Sequence, residues 1–476
     1  MYDFARGHPN RSLVPLQEMK ELMVQMGGTT NTAPNDHPDA CWQQAELSIF
    51  ERALNYGQDE GEPELLQQVR AFLERQCATD DLGNVCNIEN KNANNSFFMT
   101  GGVSHAIELL AAVTTSPGDV VYTERPTYYL VAAIMKCHGL TIESLPMRNN
   151  SSTGTGAAHD GSGRGGVDVD MLEQQLVEGS RIAPRMIYLI PTHQNPTGTT
   201  MGIRDRRKLA ELAARYHILV VADEVYHLLD WRQQQQQHND HVNDASNAVG
   251  PRPARMAVLN PPVSPTVAAT KETTATTNKS SRDMLLSGCC SVSSFTKIYG
   301  PGVRCGWIEG PPAIIQAVVN YGYIQSQGGV APLTGEIMRR ALASGQVDRV
   351  LTKLQDSYRI RSQLLCDILL LRVDDKAQIR AFRPIGGYFV WIQFPVAMGH
   401  VADFLDYCRP RVNFMPGPQC DAVDDTVITT GYGDAANGAL LLSSFARLCF
   451  ADMDIGDLEA GAHLLLAKFR AYMETR

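Results

Sequence analysis

The 476-residue chain is 44% hydrophobic and 20% charged, enough apolar material for two or three domains with substantial cores. Its 42 Lys+Arg against 51 Asp+Glu leave a net charge of -9, which excludes a global basic footprint for nucleic acid. Eleven cysteines without a C-x-x-C pair argue against a disulfide framework, and no uninterrupted apolar run is long enough to span a bilayer.

The opening "MYDFARGHPNRSLVP" lacks an apolar h-region, so a cytoplasmic protein with reduced thiols is expected. From Phe97 onward, strand and helix patterns alternate. "FFMT" reads as a short buried strand, and "VSHAIELLAAVTT" as a helix with apolar residues three and four apart. "VVYTE" is a strand, "TYYLVAAIMKCHG" a helix closed by Gly139, and "LTIESLP" a strand. Next come the strand "RMIYLIP", the helix "RDRRKLAELAARYH", and the strands "ILVVAD", "CSVSSF" and "RCGWIE". Strands separated by helices, several of them apolar throughout, predict an α/β fold with a mostly parallel sheet covered on both faces. Long helices over Pro332 to Ala343 and Val347 to Leu371 then precede "GGYFVWIQF" and "ALLLSSFARLCFA", a smaller α+β domain.

Two stretches stand outside this pattern. Residues 151–166 are Gly/Ser-rich, and residues 233–283 are polar and low in complexity, so both are expected to be insertions without fixed structure. His238 and His241 lie in the second, with no carboxylate or thiol set spaced to match, so no metal site is expected.

In a parallel sheet, ligands bind beyond the carboxyl ends of the strands. Asn195 in "IPTHQNPTGTTM", Asp223 and Tyr226 in "VVADEVYHLL", and Lys297 in "SVSSFTKIYGPG" all follow apolar strands, so four polar groups converge on one sheet edge. A helix cap or a satisfied loop acid is the plainer alternative for Asp223, and a solvated turn lysine for Lys297.

Taken in order, N-P-T-G, D-E-V-Y, S-F-T-K and the late R-L-C-F resemble the fold-type I pyridoxal-phosphate enzymes, specifically the class I/II aminotransferases. "FARGHPNRSLVP" and "NYGQDEGEPELLQQVRAFL" are similar to the branch that includes 2-aminoadipate, kynurenine and aromatic aminotransferases. The resemblance implies pyridoxal 5'-phosphate as cofactor, with Lys297 holding its aldehyde and moving the proton at the substrate Cα. It implies Asp223 opposite the pyridine nitrogen, Tyr226 and Asn195 on the phenolic oxygen, and Tyr128 stacked on the ring, with Tyr129 as the rival for that place. The phosphate falls to Gly102, Val103 and Ser104 at a helix start, with Ser294 and Arg304 beside them. Arg447 would grip the substrate α-carboxylate with Asn195 sharing it, and Gly7 would fold over the substrate. His8 reads as a lid residue, and Cys420 stands where the family carries an aromatic, which suggests a roomier loop.

Three parts are expected: residues 1–45 lying over the active site and joining the small domain, a large cofactor domain over 46–325, and a small C-terminal domain over 326–476. The implied protein is a homodimer with shared sites, Tyr56 reaching the phosphate of the neighbouring subunit. It would move the amino group of an L-amino acid, 2-aminoadipate-like or aromatic, to a 2-oxo acid such as 2-oxoglutarate. A pyridoxal-phosphate β-lyase uses almost the same constellation. A non-enzymatic regulator would carry a helix-turn-helix domain ahead of the fold, and here the pattern begins almost at Met1.

Overall fold

A computed structural model describes residues 1–7, 10–27, 53–76, 95–148, 166–232, 252–261, 286–370, 379–381, 383–423 and 442–475. In chain order its strands are β1 (Tyr2–Asp3), β2 (Ser96–Thr100), β3 (Val120–Thr123), β4 (Thr141–Ser144), β5 (Met186–Leu189), β6 (Leu219–Asp223), β7 (Gly288–Ser294) and β8 (Gly306–Gly310). Then follow β9 (Arg380–Ala381), β10 (Phe389–Gln393), β11 (Val412–Asn413), β12 (Met415–Pro416) and β13 (Phe445–Cys449). The helices that matter most here are α1 (Val103–Thr114), α2 (Val169–Val177), α3 (Ile203–Tyr216), α4 (Gln346–Leu369) and α5 (Ile455–Glu474).

Seven strands form one sheet in the order β2-β8-β7-β6-β5-β3-β4, with only β8 antiparallel to its neighbours. Alternation along each strand explains why both faces are covered. Tyr188, Leu219, Val221 and Val292 point into one core with Ala106, Ile107 and Leu110 of α1. Ile187, Leu189, Val220 and Ala222 point into the other, with Leu172 of α2 and Leu209 of α3. Asp223 has the parity of Leu219 and Val221, so it faces the same side as Tyr188.

The second sheet is antiparallel, in the order β12-β13-β10-β9. Behind it lies an aromatic core in which Phe394 meets Phe404 at 5.2 Å and Phe469 of α5 at 5.5 Å between ring centroids. The N-terminal segment belongs to this part: β1 pairs in parallel with β11, and Cys449 N–H donates to Phe4 O at 2.7 Å. That pairing carries the next residues, Ala5 to Gly7, across the mouth between the two sheets.

One expectation is corrected. Residues 252–261 lie inside the stretch read as an insertion without fixed structure, yet they are packed into the large domain. Met256 is fully buried, the Arg255 guanidinium pairs with Glu309 at 2.9 Å, and Met256 N–H donates to Glu224 Oε1 at 3.0 Å. Asn260 exchanges two hydrogen bonds with the backbone of Cys289 in β7. The rest of that stretch, with His238 and His241, lies outside the described residues, as do His8 and nearly all of 151–166. Among the described residues, no helix is long and apolar enough to cross a membrane.

Candidate active site

Asp223 ends β6 and Lys297 follows β7, the neighbouring parallel strand, so backbone register alone sets both side chains at one sheet edge. Burial pushes the Asp223 carboxyl up to about 6, against the pull of a 2.9 Å hydrogen bond from the Tyr188 hydroxyl and of the Lys297 charge. Burial also drives the Lys297 amine down to about 8, with the Arg447 guanidinium pushing the same way and Asp223 opposing. Lys297 Nζ donates to Gly7 O at 2.6 Å, and the amine lies 5.2 Å from the centre of the Tyr388 ring. The Tyr388 hydroxyl in turn donates to Lys297 O at 2.9 Å, which fixes the backbone beneath the amine.

Arg447 comes from β13, in register with Trp391 of β10. Its guanidinium is buried, donates to Asn195 Oδ1 at 2.8 Å and to Ala5 O at 2.6 Å, and lies 4.1 Å over the Phe389 ring. Its Nε is buried and has no partner among the described residues, so the group has a donor to offer a ligand. Tyr226 packs on Tyr388 and Phe389, and burial raises its hydroxyl well above the usual range. Tyr128 is half-buried, and its hydroxyl is raised first by burial and then by the nearby Asp223 charge. Tyr129 lies beside it at 6.2 Å but packs instead with Trp391, Met415, Cys420 and Leu442.

Gly102 stands at the N-cap of α1 with φ 110°, a conformation that suits glycine, and no side chain caps the helix. The first-turn N–H groups of Val103 and Ser104 therefore remain donors. A Cβ at Gly102 would come within 2.9 Å of Arg304 Nη2, which donates to Gly101 O at 2.7 Å. Ser294 is buried at the end of β7, its Oγ accepting from Thr296 N–H at 3.3 Å.

Lys297, Asp223, Tyr226, Asn195, Arg447, Tyr128 and Gly7 thus share one region, and Gly102, Val103, Ser104, Ser294 and Arg304 line its α1 side. Tyr56 stands apart, 84% exposed, its ring seated on Gly328. Tyr188 and Tyr388 touch this machinery and were not singled out from sequence. Each sits inside an apolar strand or strand entry, where a tyrosine reads as core. Cys420 is buried in one apolar cluster with Trp391, Met415 and Leu442.

The family model "Aminotransferase class I and II" matches residues 25–465, and the chain belongs to that family of pyridoxal-phosphate-dependent enzymes. It is similar to the aromatic-amino-acid aminotransferase 1 of Thermococcus litoralis, 24% identical over 81% of this chain and 76% of that one. It is also similar to the 2-aminoadipate transaminase of Thermus thermophilus, 24% identical over 67% of this chain and 65% of that one. Among solved structures, the kynurenine aminotransferase of Pyrococcus horikoshii superposes with a TM-score of 0.70 at 20% identity, covering 99% of this chain and 91% of that one.

Proposed function

We propose that this aminotransferase works through Lys297, with Asp223, Tyr226 and Asn195 as its ring-binding set and Arg447 as its carboxylate anchor. The observation that carries the reading is the meeting of a buried lysine and a buried aspartate at adjoining strand ends, facing an arginine with one N–H unpaired among the described residues. Pyridoxal 5'-phosphate supplies an aldehyde and a cationic ring that takes up the electron pair released at the substrate Cα. The residues present suit it. Asp223 would balance the ring charge, Tyr128 would pack on the ring, and the uncapped start of α1 with Ser294 and Arg304 would receive the phosphate. Tyr226 and Asn195 would hydrogen-bond the phenolic oxygen. Lys297, its amine drawn down to about 8 by burial, keeps a substantial unprotonated fraction near that pH and so is a competent base for the Cα proton.

Arg447 and Asn195 bind the α-carboxylate that all amino acids share, while Ala5 O and Gly7 O bring the N-terminal segment over the site. Beside Arg447, the cluster of Trp391, Met415, Cys420 and Leu442, with Tyr129 and Phe445 packed on it, favours a donor with an apolar or aromatic side chain. The acceptor is a 2-oxo acid such as 2-oxoglutarate. Tyr56, Leu54 and Tyr323 are exposed, and Tyr323 meets His105 at the start of α1 edge-on, which supports a second subunit covering this flank. Mixing the holoenzyme with single amino acids tests the reading. One equivalent of 2-oxo acid without ammonia, and recovery of the starting absorbance on adding a 2-oxo acid, is expected. Ammonia release in each turnover would instead indicate a β-lyase.

A further inference from the structure

Two residues ahead of Asn195, His193 sits in the left-handed region (φ 49°) with a fully buried side chain. Its Nε2 meets Asp230 Oδ2 at 3.0 Å, and its backbone N–H donates to Thr200 Oγ1 at 3.2 Å. Asp230 is held in turn by Arg232, whose Nε lies 3.0 and 2.9 Å from its two oxygens. The other wall around His193 is glycine. A Cβ on Gly386 would stand 1.9 Å from His193 Nε2, and one on Gly387 would stand 2.8 Å from His193 Cβ. This glycine pair leads directly into Tyr388 and Phe389 at the start of β10.

The same spot joins the two domains. Asp230 forms an antiparallel bridge with Gly386, Trp231 N–H donates to Ile385 O, and Gly387 N–H donates to Leu229 O. The Asn195 turn is itself stiff, with Gln194 N–H on Thr199 O and Thr197 N–H on Gln194 Oε1. On the large-domain side Gln194 Nε2 donates to Pro126 O at 2.8 Å, and on the small-domain side the turn's stem meets the Gly386–Gly387 pair through His193. Asn195 comes from the large domain and Arg447 from the small one, so their 2.8 Å contact depends on how this joint is seated.

We propose that His193, locked between Asp230 and the Gly386–Gly387 pair, is a positioning residue that seats the Asn195 turn against β10 and so sets the Asn195–Arg447 pair for a carboxylate. The inference rests on Arg447 and Asn195 being the carboxylate anchor proposed above. No contact of His193 with substrate is required.

The test uses 3-phenylpropionate, a carboxylate with no amine to react, titrated into holoenzyme while the cofactor absorbance is followed. His193→Asn tolerates the left-handed backbone but cannot reach Asp230, whereas the amide of His193→Gln replaces Nε2. His193→Asn should weaken the carboxylate about ten-fold and raise KM for amino donor and 2-oxo acid alike, with kcat changed less than about three-fold. His193→Gln should restore most of that loss. Gly386→Ala alone should reproduce the His193→Asn defect by displacing the ring, and added to His193→Asn it should cost little more, since the obstructing ring is gone. Multiplying defects, or unchanged carboxylate affinity in folded His193→Asn, would overturn the proposal. If His193→Asn does not fold, His193→Gln decides: a loss of ten-fold or more there would sink it. Arg447→Leu separates the two levels. If it weakens 3-phenylpropionate while folded His193→Asn does not, only the positioning role fails; if it has no effect, the carboxylate anchor itself is wrong.

Discussion

Asp223 holds a carboxylate in a place that resists one. Its ordinary value near 3.8 rises to about 6 because burial outweighs the Tyr188 hydroxyl, the Val225 N–H and the Lys297 charge. The folded state therefore binds more protons than the unfolded chain between those two values, and stability falls as pH rises through about 6. Above that, the buried charge is a standing cost, offset when a cationic ring sits opposite. Asp223→Asn should thus stabilise the cofactor-free protein by about 1–3 kcal/mol at pH 7.5, a gain that fades towards pH 4. The same change should slow the half-reaction by roughly 10²-fold or more, because the electron sink loses its counter-charge. Thermal melts at both pH values and single-turnover rates check the pair of effects. A variant that loses stability and keeps its rate would make Asp223 a structural cap. Lys297, Asp223 and Asn195 were legible in the sequence because each follows an apolar strand and precedes a Gly/Pro or polar turn. Tyr188 and His193 were not. Nothing local distinguishes a tyrosine that orients a carboxylate from one that fills a core, and the partner of His193 lies 37 residues away.

At the scale of elements, alternating strands and helices foretold the parallel sheet, since β5, and β6 as far as Asp223, are apolar on both faces and α1 and α3 carry helical periodicity. The segment 252–261 escaped because its neighbours are polar and repetitive, and ten packed residues cannot alter the composition of so long a stretch. Its anchoring is charged: Glu309 lies in β8 at 0% exposure, with both oxygens held by Arg255. The segment also braces Glu224, the neighbour of Asp223, through Met256 N–H, and Ser291 of β7 through Ala257 N–H. Replacing 233–283 by a short linker should therefore destabilise the protein, and Arg255→Ala alone should cost about 3–5 kcal/mol by leaving a buried carboxylate unpaired. Denaturant melts of Arg255→Ala and of the paired change Arg255→Met/Glu309→Leu provide the check. The paired change is expected to recover most of the loss. A single variant as stable as the parent would show that the segment is merely laid on the surface.

In the whole molecule, the N-terminal segment reaches Lys297 and Arg447 at the sheet edge, while Tyr56 is exposed with its ring against Gly328. The dimer proposed here makes a sharp statement about chain mixing. Tyr56→Ala homodimers should hold the cofactor about ten-fold more weakly, the worth of one hydrogen bond to a charged group. Pair a Lys297→Ala chain with a Tyr56→Ala chain, and one site inherits both defects while the other is intact. Titration of the mixed dimer should then show a tight site of wild-type affinity; only weak binding would mean that Tyr56 serves its own chain. All of this depends on Lys297 being the residue that holds the cofactor. Borohydride reduction of the holoenzyme, followed by proteolysis and mapping of the labelled peptide, reads that out directly. The account predicts a single modified lysine, Lys297, in the peptide spanning "SVSSFTKIYGPGVR", and modification of any other lysine in its place would contradict it.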